Sequence, residues 1–213
     1  MPQPIVRMLL TLGLLIAGPV CAVAGERHAA LTPAPAPAAH LGAIGGTAPP
    51  VGYVRFCAEN PAACKTSADL VFEVTLDRQL LDELENTNRS LNDAIAPLTD
   101  LEHFGETERW TFPVDGKGDC EDYVLAKRRA LIAQGWPASV LLITVVRDRD
   151  GDGHAVLTVV TDRGDLVLDN QAADILTWQE TGYRFVKRQS QGDPNLWVSL
   201  GNTRSPPVVG GGR

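Results

Sequence analysis

The sequence predicts an α+β protein in which helices precede an antiparallel sheet, and three observations carry that reading. Leu76, Leu80, Leu84, Leu91 and Ile95 recur at near-helical spacing until Pro97 ends the pattern. A second helix opens near Cys120: Tyr123, Val124, Ala126, Leu131 and Ile132 are apolar, Lys127, Arg128 and Arg129 are polar, and Gly135 stops it. After Gly135 the period changes. "ASVLLITVVRD", "HAVLTVVTD" and "DLVLDN" are rich in Val, Ile, Leu and Thr and are separated by Asp- and Gly-rich turns, so they read as antiparallel strands, with "YRFVKRQS" and "LWVSL" as two more. Helices followed by a run of strands indicate α+β.

The N-terminus precedes this domain. Arg7 is followed by the apolar run "MLLTLGLLIA", a Gly18-Pro19 break, and small residues at Ala22 to Ala24, so residues 1–24 read as a secretory signal peptide. The run is shorter than the ~18 apolar residues a membrane anchor needs. Residues 25–50, rich in Ala, Pro and Gly and without periodicity, read as a flexible or partly extended linker, and residues 201–213 as a flexible tail. The domain is expected over residues 51–200. With a formal net charge of −7, the chain is not expected to bind nucleic acid, because affinity for phosphates comes from Lys and Arg.

Three cysteines remain once Cys21 leaves with the signal. In an oxidising compartment "FCAENPAAC" can close a short disulfide between Cys57 and Cys64 around the Asn60-Pro61 turn, which leaves Cys120 unpaired. A different pairing, or an inert buried thiol, is the alternative. A thiol at a helix N-terminus faces unpaired N–H groups and the positive end of the dipole, which favour thiolate. Asp119, Glu121 and Asp122 oppose it.

A base is needed, and four histidines exist. His28 and His40 fall in the linker, His103 lies in the polar "DLEHFGE", and His154 opens the second strand. An imidazole beside Cys120 would take its proton and make an acyl nucleophile. If Val160 opposes Asp165 across the "TDRG" turn, Asp169 lies on the face of His154 and diagonal to it, within side-chain reach. Asp162, Asp165 and Asp174 remain as lesser candidates. "DRDGDG", Asp148 to Gly153, opens like an EF-hand loop, but position 12 is Val159 and the flanks are strands, so a polar turn is expected.

"GDCEDYVLAKRRALIAQG" followed by "GDGHAVLTVVTDRGDLVLDN" resembles the bacterial transglutaminase-like cysteine proteinases, the family that includes periplasmic LapG-type adhesin proteases. "NTNRSLNDAI", "ERWTFP" and "FCAENPAAC" add to the resemblance. It implies a papain/transglutaminase-like fold, with the nucleophile at a helix N-terminus packed on an antiparallel sheet carrying His and Asp. Cys120 would be the nucleophile, His154 the base and later acid, and Asp169 the orienting carboxylate. It also implies Ca2+ held by Asp119 and Glu121, with Asp122 a further candidate; the alternative is that these acids only complement the helix dipole. The implied function is cleavage near the N-terminus of a large surface adhesin, controlling biofilm release, under an inner-membrane receptor for cyclic di-GMP. A transglutaminase or amidase on the same scaffold, or a non-catalytic periplasmic binding module, are the alternative readings.

Overall fold

The computed structural model describes residues 39–67, 69–201 and 204–209. The expected signal peptide and the first part of the expected linker lie outside these residues. Three strands are central: β4 (Leu141–Arg147), β5 (Gly153–Thr161) and β6 (Gly164–Leu168). The seven-stranded sheet runs β1-β9-β8-β4-β5-β6-β7, all antiparallel, with β1 (Gly45–Thr47), β7 (Leu176–Thr177), β8 (Arg184–Gln189) and β9 (Trp197–Ser199) flanking the centre. Val160 stands opposite Asp165, and Thr161 opposite Gly164 at positive φ, where a side chain would be strained.

The sheet is covered on both faces, which is why its central strands are apolar at successive positions rather than alternating. Ile143, Val145, Ala155, Leu157 and Val159 join the main core, whereas Val146, Val156 and Val167 pack in a second cluster with Leu41 and Phe185. Helix α1 (Val51–Glu59) adds Tyr53 and Phe56 to the main core, and α2 (Arg78–Ala94), capped by the Asp77 carboxylate, adds Leu84. A short α3 (Asp100–Phe104) opens with a Thr99–Glu102 capping box. The two-residue strands β2 (Ala96–Pro97) and β3 (Lys117–Gly118) pair in parallel and bring this segment beside the start of α4 (Cys120–Ala133).

Helix α4 differs from the amphipathic helix that the sequence suggests. It is enclosed by β5, β4 and α2, so Lys127 is fully buried and Arg128 nearly so. Arg128 satisfies its charge-bearing fork on main chain, donating from Nε to the Leu141 carbonyl at 3.0 Å and from Nη1 to the Ala63 carbonyl at 3.4 Å. Residues 39–50, expected as linker, are fastened to the domain: His40 Nδ1 lies 2.8 Å from Asp165, the Leu41 N–H donates to the other Asp165 oxygen, and Gly45–Thr47 forms the edge strand on β9. Asp165 also takes Arg188 at 2.8 Å. Tail residues 204–209, expected to be flexible, pack onto the domain, with Val209 only 4% exposed.

Cys57 and Cys64 are joined as a disulfide closing a loop of sequence separation 7 between α1 and the 3-10 turn Pro61–Cys64. Closing so short a loop restricts the unfolded chain by about 2–3 kcal/mol. Replacing both cysteines by serine is therefore expected to lower Tm by about 5–10 °C in a calorimetric scan.

Candidate active site

Cys120 is the first residue of α4, and its thiol sits at a gap in the sheet. β6 pairs with β5 only from Leu157 onward, so the outer edge of β5 before that point has no strand partner. The Ala155 N–H on that edge donates to Cys120 Sγ at 3.2 Å, and the thiol itself lies 3.3 Å from Glu121 Oε2 as donor. Cys120 is 5% exposed and is the free cysteine among the described residues.

His154 precedes Ala155. Its Nε2 lies 2.8 Å from Asp169 Oδ1, with both side chains buried, so the imidazole is oriented by a carboxylate and its Nδ1 is left for another partner. Asp169 follows directly on β6; continuing the Leu157–Leu168 register places it opposite Val156 and diagonal to His154. Its second oxygen accepts the Tyr183 hydroxyl at 2.7 Å, the Gln171 N–H reaches Oδ1 at 2.9 Å, and its carbonyl accepts Asn92 Nδ2 at 2.9 Å. Burial acts to raise the Asp169 pKa, but the His154, Gln171 and Tyr183 contacts outweigh it and hold the carboxyl below its ordinary range. Tyr183 was read only as part of a strand and Asn92 only as part of the "NTNRSLNDAI" resemblance, because each is tied to Asp169 by packing across the chain. Of the other candidate acids, Asp162 accepts the Leu76 N–H and Asp165 holds the N-terminal segment, so both serve elsewhere. Trp110 is a buried core aromatic in edge contact with Tyr53, 5.7 Å between rings.

The acids around the thiol form a buried cluster. Asp100, Asp119 and Glu121 each place a carboxylate oxygen within 4.8 Å of the others. Asp119 stands at the N-cap of α4 yet makes no side-chain cap bond; its Oδ2 instead accepts the Asp100 N–H at 3.2 Å. Asp122 points beside this group and accepts the Thr111 N–H at 2.7 Å. Gly118 is required next to it, since a side chain there would run into the Asp122 carboxylate. Asp100 Oδ1, Asp119 Oδ1, Glu121 Oε1 and Asp122 Oδ2 are buried without a hydrogen-bond donor. Burial, then mutual repulsion, pushes Glu121 far above the usual carboxylate range, while burial chiefly raises Asp119 to about 6 and Asp122 to about 8. Burial, reinforced by Glu121 and Asp119, likewise pushes the Cys120 thiol up. Oxygen-only ligands, buried and short of donors, suit a hard divalent cation. Asp100 escaped the sequence reading because it comes from α3, far from the Asp-Cys-Glu-Asp run. The Asp148 carboxylate, in "DRDGDG", accepts the N–H groups of Asp150, Gly151 and Asp152 and closes a polar turn between β4 and β5.

A thiol at a helix N-terminus, touched by the amide of the residue after an Asp-oriented histidine on an antiparallel sheet, defines a transglutaminase-like cysteine peptidase site. The chain belongs to the family of bacterial transglutaminase-like cysteine proteinases (BTLCP), whose profile matches residues 43–205, and it is a cysteine peptidase of that family. Among solved structures it is similar to calcium-bound LapG of Legionella pneumophila, at 27% identity and a TM-score of 0.50, over 62% of this chain and 75% of that one. EGTA-treated LapG of the same organism is similar at 26% identity and a TM-score of 0.48, over 60% and 71% of the two chains. A comparison with curated proteins finds no match.

Lys127 lies two turns beyond Cys120 on α4, with Nζ buried and without a hydrogen-bond partner, 5.8 Å from the Tyr123 ring centroid. Burial lowers its pKa to about 7, opposed by the charge of Asp169. A base with a depressed folded pKa withholds stability below its unfolded pKa of about 10.4 and restores it as pH rises toward that value. Lys127→Met is therefore expected to raise Tm at pH 7, and its advantage over the parent chain to narrow between pH 7 and 10 in paired thermal scans.

Proposed function

We propose that this protein is a calcium-dependent periplasmic endopeptidase that works through Cys120, His154 and Asp169 and cuts the N-terminal region of a large surface adhesin. The observation that carries the catalytic part is the Ala155 N–H on the Cys120 thiol, beside the buried His154–Asp169 pair. In this reading the thiol proton passes to His154 Nδ1 while Asp169 holds Nε2 and stabilises the imidazolium. The thiolate attacks the peptide carbonyl carbon, and the Cys120 N–H at the helix N-terminus supports the oxyanion. His154 then protonates the departing amine, and a water activated by the same imidazole releases the acyl group from sulfur.

Asp100, Asp119 and Glu121 would hold calcium, with Asp122 behind them bound to Thr111. The donor-less carboxylate oxygens support this, as does the calcium-bound state of the similar LapG. Bound there, a divalent charge would offset the carboxylates that otherwise oppose a thiolate at Cys120. Periplasmic placement is supported by the signal-like residues 1–24; no helix among the described residues is long and apolar enough to cross a membrane. The adhesin substrate, a role in biofilm release, and restraint by an inner-membrane cyclic di-GMP receptor follow from the resemblance to LapG-type proteases.

Incubation with the N-terminal region of a surface adhesin is expected to yield a fragment with one new N-terminus by Edman or mass analysis; an isopeptide product instead would assign a transglutaminase. Cys120→Ala is expected to abolish cleavage, and Asp169→Asn to lower kcat on the order of 10³- to 10⁴-fold by leaving the imidazole in the wrong tautomer. EGTA is expected to stop turnover and excess calcium to restore it, with Asp100→Asn raising the calcium concentration needed at least tenfold; unchanged turnover in EGTA would remove calcium from the mechanism.

A further inference from the structure

The segment Arg204–Val209, sequence Arg-Ser-Pro-Pro-Val-Val, is seated beside the active site rather than on a remote face. At its start, the Arg204 carbonyl accepts Arg147 Nε at 3.2 Å at the end of β4. Further along, it lies so close to Gly153, the residue before His154, that any side chain at 153 would collide with the Val208 carbonyl and the Pro206 ring. At its end, the Val209 N–H donates to the Glu108 carboxylate, whose other oxygen is held by Trp110 Nε1 at 3.2 Å. Val209 is 4% exposed and belongs to the main hydrophobic core.

The chemistry of this seat is that of a peptide groove. One wall is the face of β5 at Gly153, bare of side chain; the other is the 108–110 segment, which runs on to Thr111 and its bond to Asp122. Pro206 and Val208 are half-buried, Pro207 between them is exposed, Val209 is buried, and the chain bends at Pro207 and Val209. The two prolines fix φ and remove two N–H donors from the segment. Its contacts are two backbone groups, one carbonyl and one N–H, and an apolar side chain in the core cluster; of its side chains the one charge, on Arg204, is exposed at the far end. Recognition of this kind reads backbone groups and an apolar side chain, not a charge.

We propose that the surface between Gly153 and Glu108 is the substrate's peptide-binding groove, that it takes apolar, proline-containing peptide, and that Arg204–Val209 is its intramolecular occupant. The assignment of the groove to substrate rests on the protease reading above; the occupancy stands on the contacts alone. A tethered segment competes at an effective concentration in the millimolar range, so even weak intrinsic affinity keeps the groove filled until a longer substrate displaces it.

The test uses the full chain with calcium and reads the rate of iodoacetamide labelling at Cys120 by peptide mass. Val209→Glu, which puts a charge into the apolar seat of the side chain, and Val209→Gly, which removes the apolar anchor, are each expected to speed labelling about tenfold. The synthetic peptide Ser-Pro-Pro-Val-Val-Gly-Gly at millimolar concentration is expected to slow it again. A cooperative melt is required of each variant; if Val209→Glu loses it, Val209→Gly decides. Labelling at the parental rate in a folded variant, or no protection by the peptide, overturns the occupancy. Faster labelling with peptide protection but no proteolysis of any substrate keeps the groove and removes the protease reading. Adhesin cleavage as proposed with neither labelling effect keeps the protease and removes this inference.

Discussion

The contact between the first turn of α4 and the unpaired edge of β5 is the constraint on which the rest of the molecule depends. Because β6 stops opposite Leu157, the Ala155 amide has no strand to bond, and the Cys120 sulfur takes that place. An unsatisfied buried N–H costs about as much as a lost hydrogen bond, so the gap in the sheet and the position of the thiol are mutually enforced. The same register that leaves the gap delivers Asp169 to His154. Cys120, His154 and Asp169 are thus positioned by one decision, the point at which a strand pair ends.

Seating the thiol there has an electrostatic cost. Enclosing α4 buries Asp119, Glu121 and Asp122 with it, and Asp100 arrives from α3 to complete a group of carboxylates short of donors. Each is pushed up first by desolvation. Such a group can be neutralised by protons or by a cation. The acidic run next to Cys120, which looks self-defeating in the sequence, is part of a buried carboxylate cluster to which Asp100 also belongs. Lys127, two turns beyond the thiol on the helix, is a buried base whose pKa burial lowers against the opposing charge of Asp169.

Much of the domain was legible without coordinates because its signals are local. The Val- and Ile-rich runs become β4, β5 and β6, and the register supposed across the "TDRG" turn, Val160 on Asp165, is the one observed, with Thr161 and Gly164 also paired inside that loop. From that register the diagonal relation of His154 and Asp169 could be worked out, and their side chains meet at 2.8 Å. Where the reading failed, it failed at packing. Lys127 and Arg128 look like a solvated face, and low hydrophobicity made residues 39–50 and 204–209 look like spacer. Yet Gly45–Thr47 completes the sheet through main-chain bonds, and Val209 is buried although its neighbours are Pro and Gly.

The sequence by itself determined the kinds of element, their order, and the identities of a thiol, an imidazole and a carboxylate at spacings that a helix start and one hairpin can bring together. Periodicity and turn length are properties of neighbouring residues, so they survive without knowledge of the fold. Only the tertiary structure decided that Asp100 joins Asp119 and Glu121, that Tyr183 and Asn92 hold Asp169, and that a C-terminal segment lies against Gly153. Those juxtapositions depend on which faces of distant elements are covered, and coverage is set by the sum of packing over the whole core rather than by any stretch of the chain.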